Sequence, residues 1–234
     1  MGSIYLALDF PTGEDAVHFL TTHNLQGTPV KVGMELFYKE GPALIEQLKK
    51  NDHPIFLDLK LHDIPTTVYR AMKNIASLGV DIVNVHALGG SAMMERAKEG
   101  LLAGNSSQSP ALLAVTVLTS MDEHVLKKEL HMNESLQKQV GHLASLAKSS
   151  GVDGVVCSAH EATHIKELCG PSFLTVTPGI RLANTNADDQ VRVATPREAK
   201  RMGSDILVIG RSITQAESPK DALETAIKEW EYED

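Results

Sequence analysis

The sequence predicts an α/β chain folded as one (β/α)8 TIM barrel. Eight short runs rich in Val, Ile and Leu alternate with amphipathic stretches of helical period along 234 residues. Such alternation points to a parallel sheet covered by helices, and eight units in this length match a barrel. The rival architecture, a doubly wound open sheet, carries G-x-G-x-x-G after its first strand. Here LALDFPTGED holds only Gly13. No linker or low-complexity tract divides the chain, so a single domain over residues 1–234 is expected.

The predicted strands are residues 3–10, 29–36, 54–61, 81–88, 111–118, 154–159, 173–180 and 205–212. Most are bounded by Gly, Pro, Asp or Asn. Helical patterns fall at 14–23, 42–51, 66–79, 92–102, 134–149 and 218–230, the last opened by a Ser-Pro pair suited to a cap and first turn. Gly79, Gly104, Gly151 and Gly203 stand where helices should stop. Two longer polar connections, 120–133 and 181–199, interrupt the rhythm, and the second is a candidate active-site lid.

Composition narrows the function classes. Acidic residues outnumber basic ones, 30 to 22, for a net charge of -8, and no basic stripe is available to neutralise a nucleic-acid backbone. No apolar run approaches the ~18 residues of a membrane helix. No charged-then-apolar leader opens the chain, and Leu6 stands where a myristoylation motif wants Ser or Thr. Cys157 and Cys169 lack metal-ligand spacing, and Cys157 lies in an apolar run that reads as core. The expectation is a cytoplasmic, reduced protein that binds neither membrane nor nucleic acid.

The charges inside the strand runs carry the chemistry. Side chains alternate between the two faces of a strand. In the third run Leu57, Leu59 and Leu61 oppose Phe56, Asp58, Lys60 and His62. In the first, Ile4, Leu6 and Leu8 oppose Tyr5, Ala7 and Asp9; in the second, Val30, Val32 and Met34 oppose Lys31, Gly33 and Glu35. The unbroken aliphatic faces should meet the helices. Asp9, Lys31, Asp58 and Lys60 then point into the barrel from adjacent strands, two acids against two bases. Asp58, Lys60 and Asp9 also lie toward the C-terminal strand ends, where such barrels carry chemistry. A salt-bridge network that only fixes strand register is the bland alternative, but buried ion pairs are a poor source of stability. Asp63 breaks the parity, and spacing assigns it no role. His62 and His86, at strand ends, read as packing histidines.

A second cluster follows the last two strands. TPGIR (177–181) and GRS (210–212) fall where barrels bind phosphate. Gly210 admits close approach of a backbone N–H, Arg211 offers a bidentate fork, and Arg181 and Gln190 can add donors. A phosphorylated small molecule would reach from here to the charged row.

Together these motifs resemble the orotidine 5'-phosphate decarboxylase family in its stand-alone bacterial form. The matching segments are LALDF (6–10), VKVGMELF (30–37), FLDLKLHDIPTTV (56–68), VTVLTSM (115–121), TPGIR, Gln190 and IGRSIT (209–214). The D-x-K-x-x-D core at Asp58, Lys60 and Asp63 is shared with related phosphosugar barrels; the DIPTTV extension is more specific. The resemblance implies release of carbon dioxide from orotidine 5'-phosphate to give UMP, the last step of de novo pyrimidine nucleotide synthesis, without metal or organic cofactor. It implies Lys60 as proton donor beside Asp58, and Asp9 and Lys31 on the ribose hydroxyls and in the charge array. Thr119 would contact the pyrimidine and Pro178 pack by it, with Arg181, Gln190, Gly210 and Arg211 on the phosphate. It also implies a homodimer in which Asp63 enters the partner's site with Ile64 and Thr67 beside it.

Three other classes share parts of this pattern. A Schiff-base aldolase needs a lysine of lowered pKa, whereas acidic neighbours favour the charged form of a lysine. A metal-dependent phosphosugar enzyme with the same core would lose activity to a chelator. A phosphosugar-binding barrel without catalysis would bind and not turn over.

Overall fold

The computed structural model describes residues 4–105, 109–182 and 193–232. Eight parallel strands pair in chain order and close into a barrel. They are β1 (Ile4–Ala7), β2 (Val30–Gly33), β3 (Ile55–Leu61), β4 (Ile82–His86), β5 (Ala111–Val115), β6 (Gly154–Val156), β7 (Leu174–Thr177) and β8 (Ile206–Ile209). The helices are α1 (Gly13–Thr22), α2 (Met34–Glu40), α3 (Pro42–Lys50), α4 (Pro65–Ala76), α5 (Gly90–Gly104), α6 (Leu136–Ser149), α7 (Ala159–Cys169), α8 (Pro196–Arg201), α9 (Arg211–Thr214) and α10 (Pro219–Glu231). Among the described residues no helix is long and apolar enough to cross a membrane.

Alternation along the strands sorts the apolar side chains into two layers. Tyr5, Ala7, Phe56, Ile82, Leu113, Val176, Ile206 and Val208 fill the barrel interior. Leu6, Leu8, Val30, Val32, Leu57, Leu59, Val83 and Leu207 form the layer shared with the helices. Both cysteines are buried, and neither forms a disulfide. At one point the helix layer closes down to backbone contact. A Cβ on Gly100 or Gly104 would lie 2.3 Å from the carbonyl oxygen of Tyr69 or Lys73, so α5 sits directly on α4. Gly104 is the last residue of α5, where its position in the sequence predicts the helix to stop, and it is a packing residue as well.

The strands are shorter than the apolar runs. The second run continues to residue 36 in the sequence, but α2 starts at Met34 after Gly33, and the face alternation expected for Met34 and Glu35 does not apply: both are exposed. The eighth run ends at Ile209, and Arg211 and Ser212 belong to α9. Apolarity persists past each strand end because the chain still has to pack as it turns over the barrel rim. The connection expected at 181–199 runs into α8, which starts at Pro196. Thr195 and Glu198 form its capping box, with Thr195 N–H on Glu198 Oε2 at 2.8 Å and Pro196 in the first turn. Residues 183–192 of that candidate lid lie outside the described residues.

The N-terminal end of the barrel is held by a repeated device. Gly79-Val80-Asp81, Gly151-Val152-Asp153 and Gly203-Ser204-Asp205 each lead into an even-numbered strand. Each glycine has a positive φ, between 69° and 91°, which turns the chain out of the preceding helix. Each aspartate then grips the strand before it. Asp81 accepts from Ile55 N–H at 2.7 Å, Asp153 from Leu112 N–H at 2.8 Å and Asp205 from Thr175 N–H at 2.7 Å. The backbone N–H of each aspartate donates to the carbonyl of that same residue at 2.9 Å. A lysine from the helix before the odd strand completes each set: Lys49 at 3.8 Å, Lys98 at 2.6 Å and Lys166 at 2.6 Å. One carboxylate thus fixes the register of two strands and the seat of one helix.

Asp205 carries the fullest set, because Thr175 Oγ1 also donates to it at 3.0 Å. Asp205→Ala should lower unfolding free energy by about 2–3 kcal/mol, the scale of charge-assisted hydrogen bonds left unmade, while Asp205→Asn should lose less. Chemical denaturation reads this directly; an unchanged midpoint in the alanine variant would remove the clamp as a source of stability.

Candidate active site

The charged residues of the first three strands meet at the C-terminal mouth as one row. Lys31 lies in register with Ala7 on β1 and Phe56 on β3. Asp58 stands one inward layer nearer the mouth, opposite Gly33. Asp9 follows β1 by two residues and is exposed at the rim. Lys31 reaches up between the two carboxylates, 3.2 Å from Asp9 Oδ1 and 3.4 Å from Asp58 Oδ2. Lys60 Nζ lies 2.7 Å from Asp58 Oδ1. The order Asp9, Lys31, Asp58, Lys60 alternates in sign, so every internal charge has opposite neighbours.

Gly33 makes room for this. A Cβ at position 33 would stand 3.3 Å from Lys31 Nζ, a tight contact, and 3.8 Å from Asp9 Oδ1. Sequence parity placed Gly33 on the mixed face without giving it a purpose. The signal was there: a glycine between two charged inward layers is a gap that a long side chain can fill.

Electrostatics follow from the row. Burial alone would lower the Lys31 pKa, but Asp58 and Asp9 outweigh it and hold the ammonium above its ordinary value. Burial likewise opposes the Asp58 carboxylate. The charges of Lys31 and Lys60, with hydrogen bonds from Lys60 and Asn84, overcome that penalty and hold Asp58 below the usual carboxylate range. At neutral pH the row is fully ionised at its centre.

β3 is irregular where the chemistry lies. Leu57 pairs with Val83, yet Leu61 pairs with Val85, so β3 spends four residues where β4 spends two. Within this bulge Lys60 takes a left-handed backbone, φ 51°. Its N–H donates to Asn84 Oδ1 at 2.7 Å, and Asn84 Nδ2 donates to Asp58 Oδ1 at 2.7 Å. Sequence reasoning missed Asn84. Its only signal was a polar residue at an inward position of the apolar run DIVNVHAL. His86 stacks on His62 with ring centroids 5.6 Å apart, and burial, then the proximity of His62 and Lys60, lowers its pKa.

Asp9, Lys31, Asp58 and Lys60 line one side of a cavity of about 240 Å³. Pro178, Arg181, Gly210 and Arg211 line the side formed by the ends of β7 and β8, and Thr119 enters from the turn after β5. Ala7, Phe56, Val115, Val156 and Val208 form an apolar floor. Three expected residues are not in this cavity. Asp63, Ile64 and Thr67 are exposed outside the barrel mouth, with Asp63 Oδ1 accepting the Ile64 N–H at 2.6 Å. Gln190 lies outside the described residues. Among the described residues no group of three or more His, Cys, Asp or Glu side chains is placed to hold a metal ion.

Comparison with known proteins shows the family of the chain. Residues 2–226 match the family described as Orotidine 5'-phosphate decarboxylase / HUMPS. Over 231 residues the chain is 54% identical to an orotidine 5'-phosphate decarboxylase of Bacillus cereus (strain AH187), covering 98% of this chain and 97% of that one. A crystal structure of orotidine 5'-phosphate decarboxylase from Lactobacillus acidophilus superposes with a TM-score of 0.88 at 44% identity, covering 98% and 99% of the two chains. One of an uncharacterized conserved protein from Geobacillus kaustophilus gives 0.87 at 50% identity, covering 97% and 99%. The chain belongs to the orotidine 5'-phosphate decarboxylase / HUMPS family.

Proposed function

We propose that this chain, as one catalytic domain over residues 1–234, decarboxylates orotidine 5'-phosphate to UMP in the cytoplasm, as the last step of pyrimidine nucleotide synthesis. One observation carries the reading: the order of functional groups round the cavity is the order of parts in a nucleotide. Arg181, Gly210 and Arg211 at β7 and β8 suit the phosphate. Going round the closed barrel, Asp9 and Lys31 at β1 and β2 come next and suit the ribose hydroxyls. Asp58 and Lys60 at β3 then meet the reacting edge of the base, with Thr119 and Pro178 on the pyrimidine. Gln190 is assigned to the phosphate with the two arginines.

The reaction breaks the bond between carbon 6 and its carboxylate. Carbon dioxide leaves, the electron pair stays on carbon 6, and a proton from Lys60 Nζ takes its place. No ordinary electron sink is adjacent to that carbon. An ammonium held beside it stabilises the developing charge and supplies the proton. Lysine then regains its proton from water. Asp58 fixes Lys60 at 2.7 Å, and Lys31 keeps Asp58 ionised. The phosphate is remote from this bond, and its binding free energy orients the base. No step calls for a metal or an organic cofactor.

Asp63 fits the reading as a residue of the partner's site in a homodimer. It lines a surface recess with Thr67, Met34 and Tyr38 that adjoins the cavity at Lys60, while Asp63 itself does not line that cavity. Beside it Met34, Tyr38 and Ile64 are exposed by 45%, 69% and 67%, apolar surface of the kind that interfaces cover. Ile64 and Thr67 would accompany Asp63 across that interface.

The deciding experiment is an absorbance assay with orotidine 5'-phosphate, with and without chelator. Turnover unaffected by the chelator is expected; borohydride trapping of a substrate adduct would instead indicate an aldolase. Lys60→Ala should lower kcat by about 10⁴-fold or more while nucleotide still binds, and substantial remaining turnover would refute the proton-donor role. Arg211→Ala should cost roughly 100-fold in kcat/KM, the scale of a bidentate charged contact, for the nucleotide only. An equal effect on the phosphate-free nucleoside would remove the phosphate assignment. Mixing Lys60→Ala and Asp63→Ala chains in equal amounts should restore activity in up to about a quarter of the sites, since random exchange leaves one intact site in each hybrid dimer. No recovery despite proven subunit exchange would count against the shared site.

A further inference from the structure

We propose that Asn84 is a positioning residue: its carboxamide holds the left-handed bulge at Lys60 and the Asp58 carboxylate in the one arrangement that presents the Lys60 ammonium to the substrate. The inference rests on the decarboxylase reading for its activity readout and on the geometry of β3 and β4 for its substance.

Asn84 is 1% exposed, in the middle of β4 between Val83 and Val85. A buried amide is costly unless its groups are paired. Here one oxygen and one N–H are spent on two different parts of the reacting machinery. Oδ1 takes the Lys60 N–H at 2.7 Å, a donor that the bulge has removed from the strand ladder. Nδ2 donates to Asp58 Oδ1 at 2.7 Å, the same oxygen that receives Lys60 Nζ at 2.7 Å. A left-handed backbone at a non-glycine residue persists only where its surroundings enforce it. Asn84 supplies that enforcement, and it ties the backbone of Lys60 to the carboxylate that anchors its side chain. It does not line the cavity, so it acts through its neighbours.

The groups facing Asp58 are Lys31 from β2, Lys60 from β3 and Asn84 from β4, with Asp9 beyond Lys31. His62 and His86 stand near Lys60, and His86 is held below the ordinary histidine range. All except position 84 are common to wild type and variants, so ratios between them isolate the amide.

Asn84→Leu removes both bonds. It should lower kcat about 100-fold, the scale of a small misplacement of a catalytic group, with the Kd for UMP within a few-fold of wild type. Asn84→Asp supplies a discriminating test. Its introduced carboxyl and Asp58 lie too close to ionise together, so the pair retains one proton to higher pH than either alone. In that singly protonated state the O–H replaces the amide donor and the other oxygen still accepts from Lys60 N–H. The ratio of Asn84→Asp to wild-type kcat/KM should therefore rise as pH falls through the titration of the pair. A ratio flat with pH, or an undiminished kcat in a UMP-binding Asn84→Leu protein, would overturn the inference. Should wild type bind UMP yet fail to decarboxylate, the functional reading falls alone. The carboxyl carbon of Asp58, followed by NMR, then decides: its titration should move upward in Asn84→Leu, and no movement sinks the inference.

Discussion

The Asp58 carboxylate is the constraint on which the site is built. It is buried at 8% exposure on an inward position of β3, where an unpaired ion would cost several kcal/mol even after relaxation. Each of its oxygens is accounted for: Lys60 and Asn84 share one, and Lys31 faces the other. The rest of the site is a consequence. Lys31 must climb a full layer to reach Asp58, past position 33, where glycine leaves the ammonium uncrowded. Asp9 stands on the far side of Lys31 and gives its ammonium a second carboxylate, since the Lys31 side chain is only 11% exposed.

Such a row tolerates little movement of the strands that carry it. The three Gly-x-Asp clamps at the opposite end answer that need. Each aspartate fixes the register of an adjacent strand pair through backbone hydrogen bonds and pins a helix through a lysine. The barrel thus divides its charges by end. Those at the N-terminal end are satisfied by backbone and hold the frame; those at the mouth are satisfied mainly by one another and face the cavity. A β3–β4 clamp by Asp81 also sets the register from which the bulge at Lys60 departs.

The barrel and the inward orientation of Asp58 and Lys60 were legible in the sequence, because eight strand–helix units match a closed barrel and side chains alternate along a strand with period two. Legibility failed where the chain leaves that period. Gly33 ends β2 inside an apolar run, so Met34 and Glu35 change from strand to helix without a change in hydrophobicity. Arg211 begins α9 for the same reason. The Thr195–Glu198 box that starts α8 was readable and was obscured by the polarity of the connection around it. The clamps escaped because their three aspartates resemble ordinary strand-boundary residues; only the spacing Gly-x-Asp repeats. Asp63 is the opposite case. The structure places it outside its own cavity, and the family resemblance alone assigns it to a partner.

The same bookkeeping of oxygens bears on how the proposed reaction is accelerated. Repulsion between Asp58 and a substrate carboxylate has an evident appeal, since the two would be close. Yet Asp58 is flanked by two ammonium groups at 3.4 and 2.7 Å, and the four charges of the row sum to zero. A compensated carboxylate repels an incoming anion far less than a bare one, and what remains also raises the energy of the bound row itself. The leverage lies with Lys60. Its ammonium is fixed before substrate arrives, by Asp58 at the side chain and by Asn84 at the backbone. In the proposed reaction it would therefore meet negative charge on carbon 6 without reorganisation, and preorganised stabilisation of that kind grows as the charge develops. Ground-state repulsion has no such geometric anchor here. On this account Asp58 serves the transition state by holding Lys60 still, and the cost of burying it is met before the substrate enters.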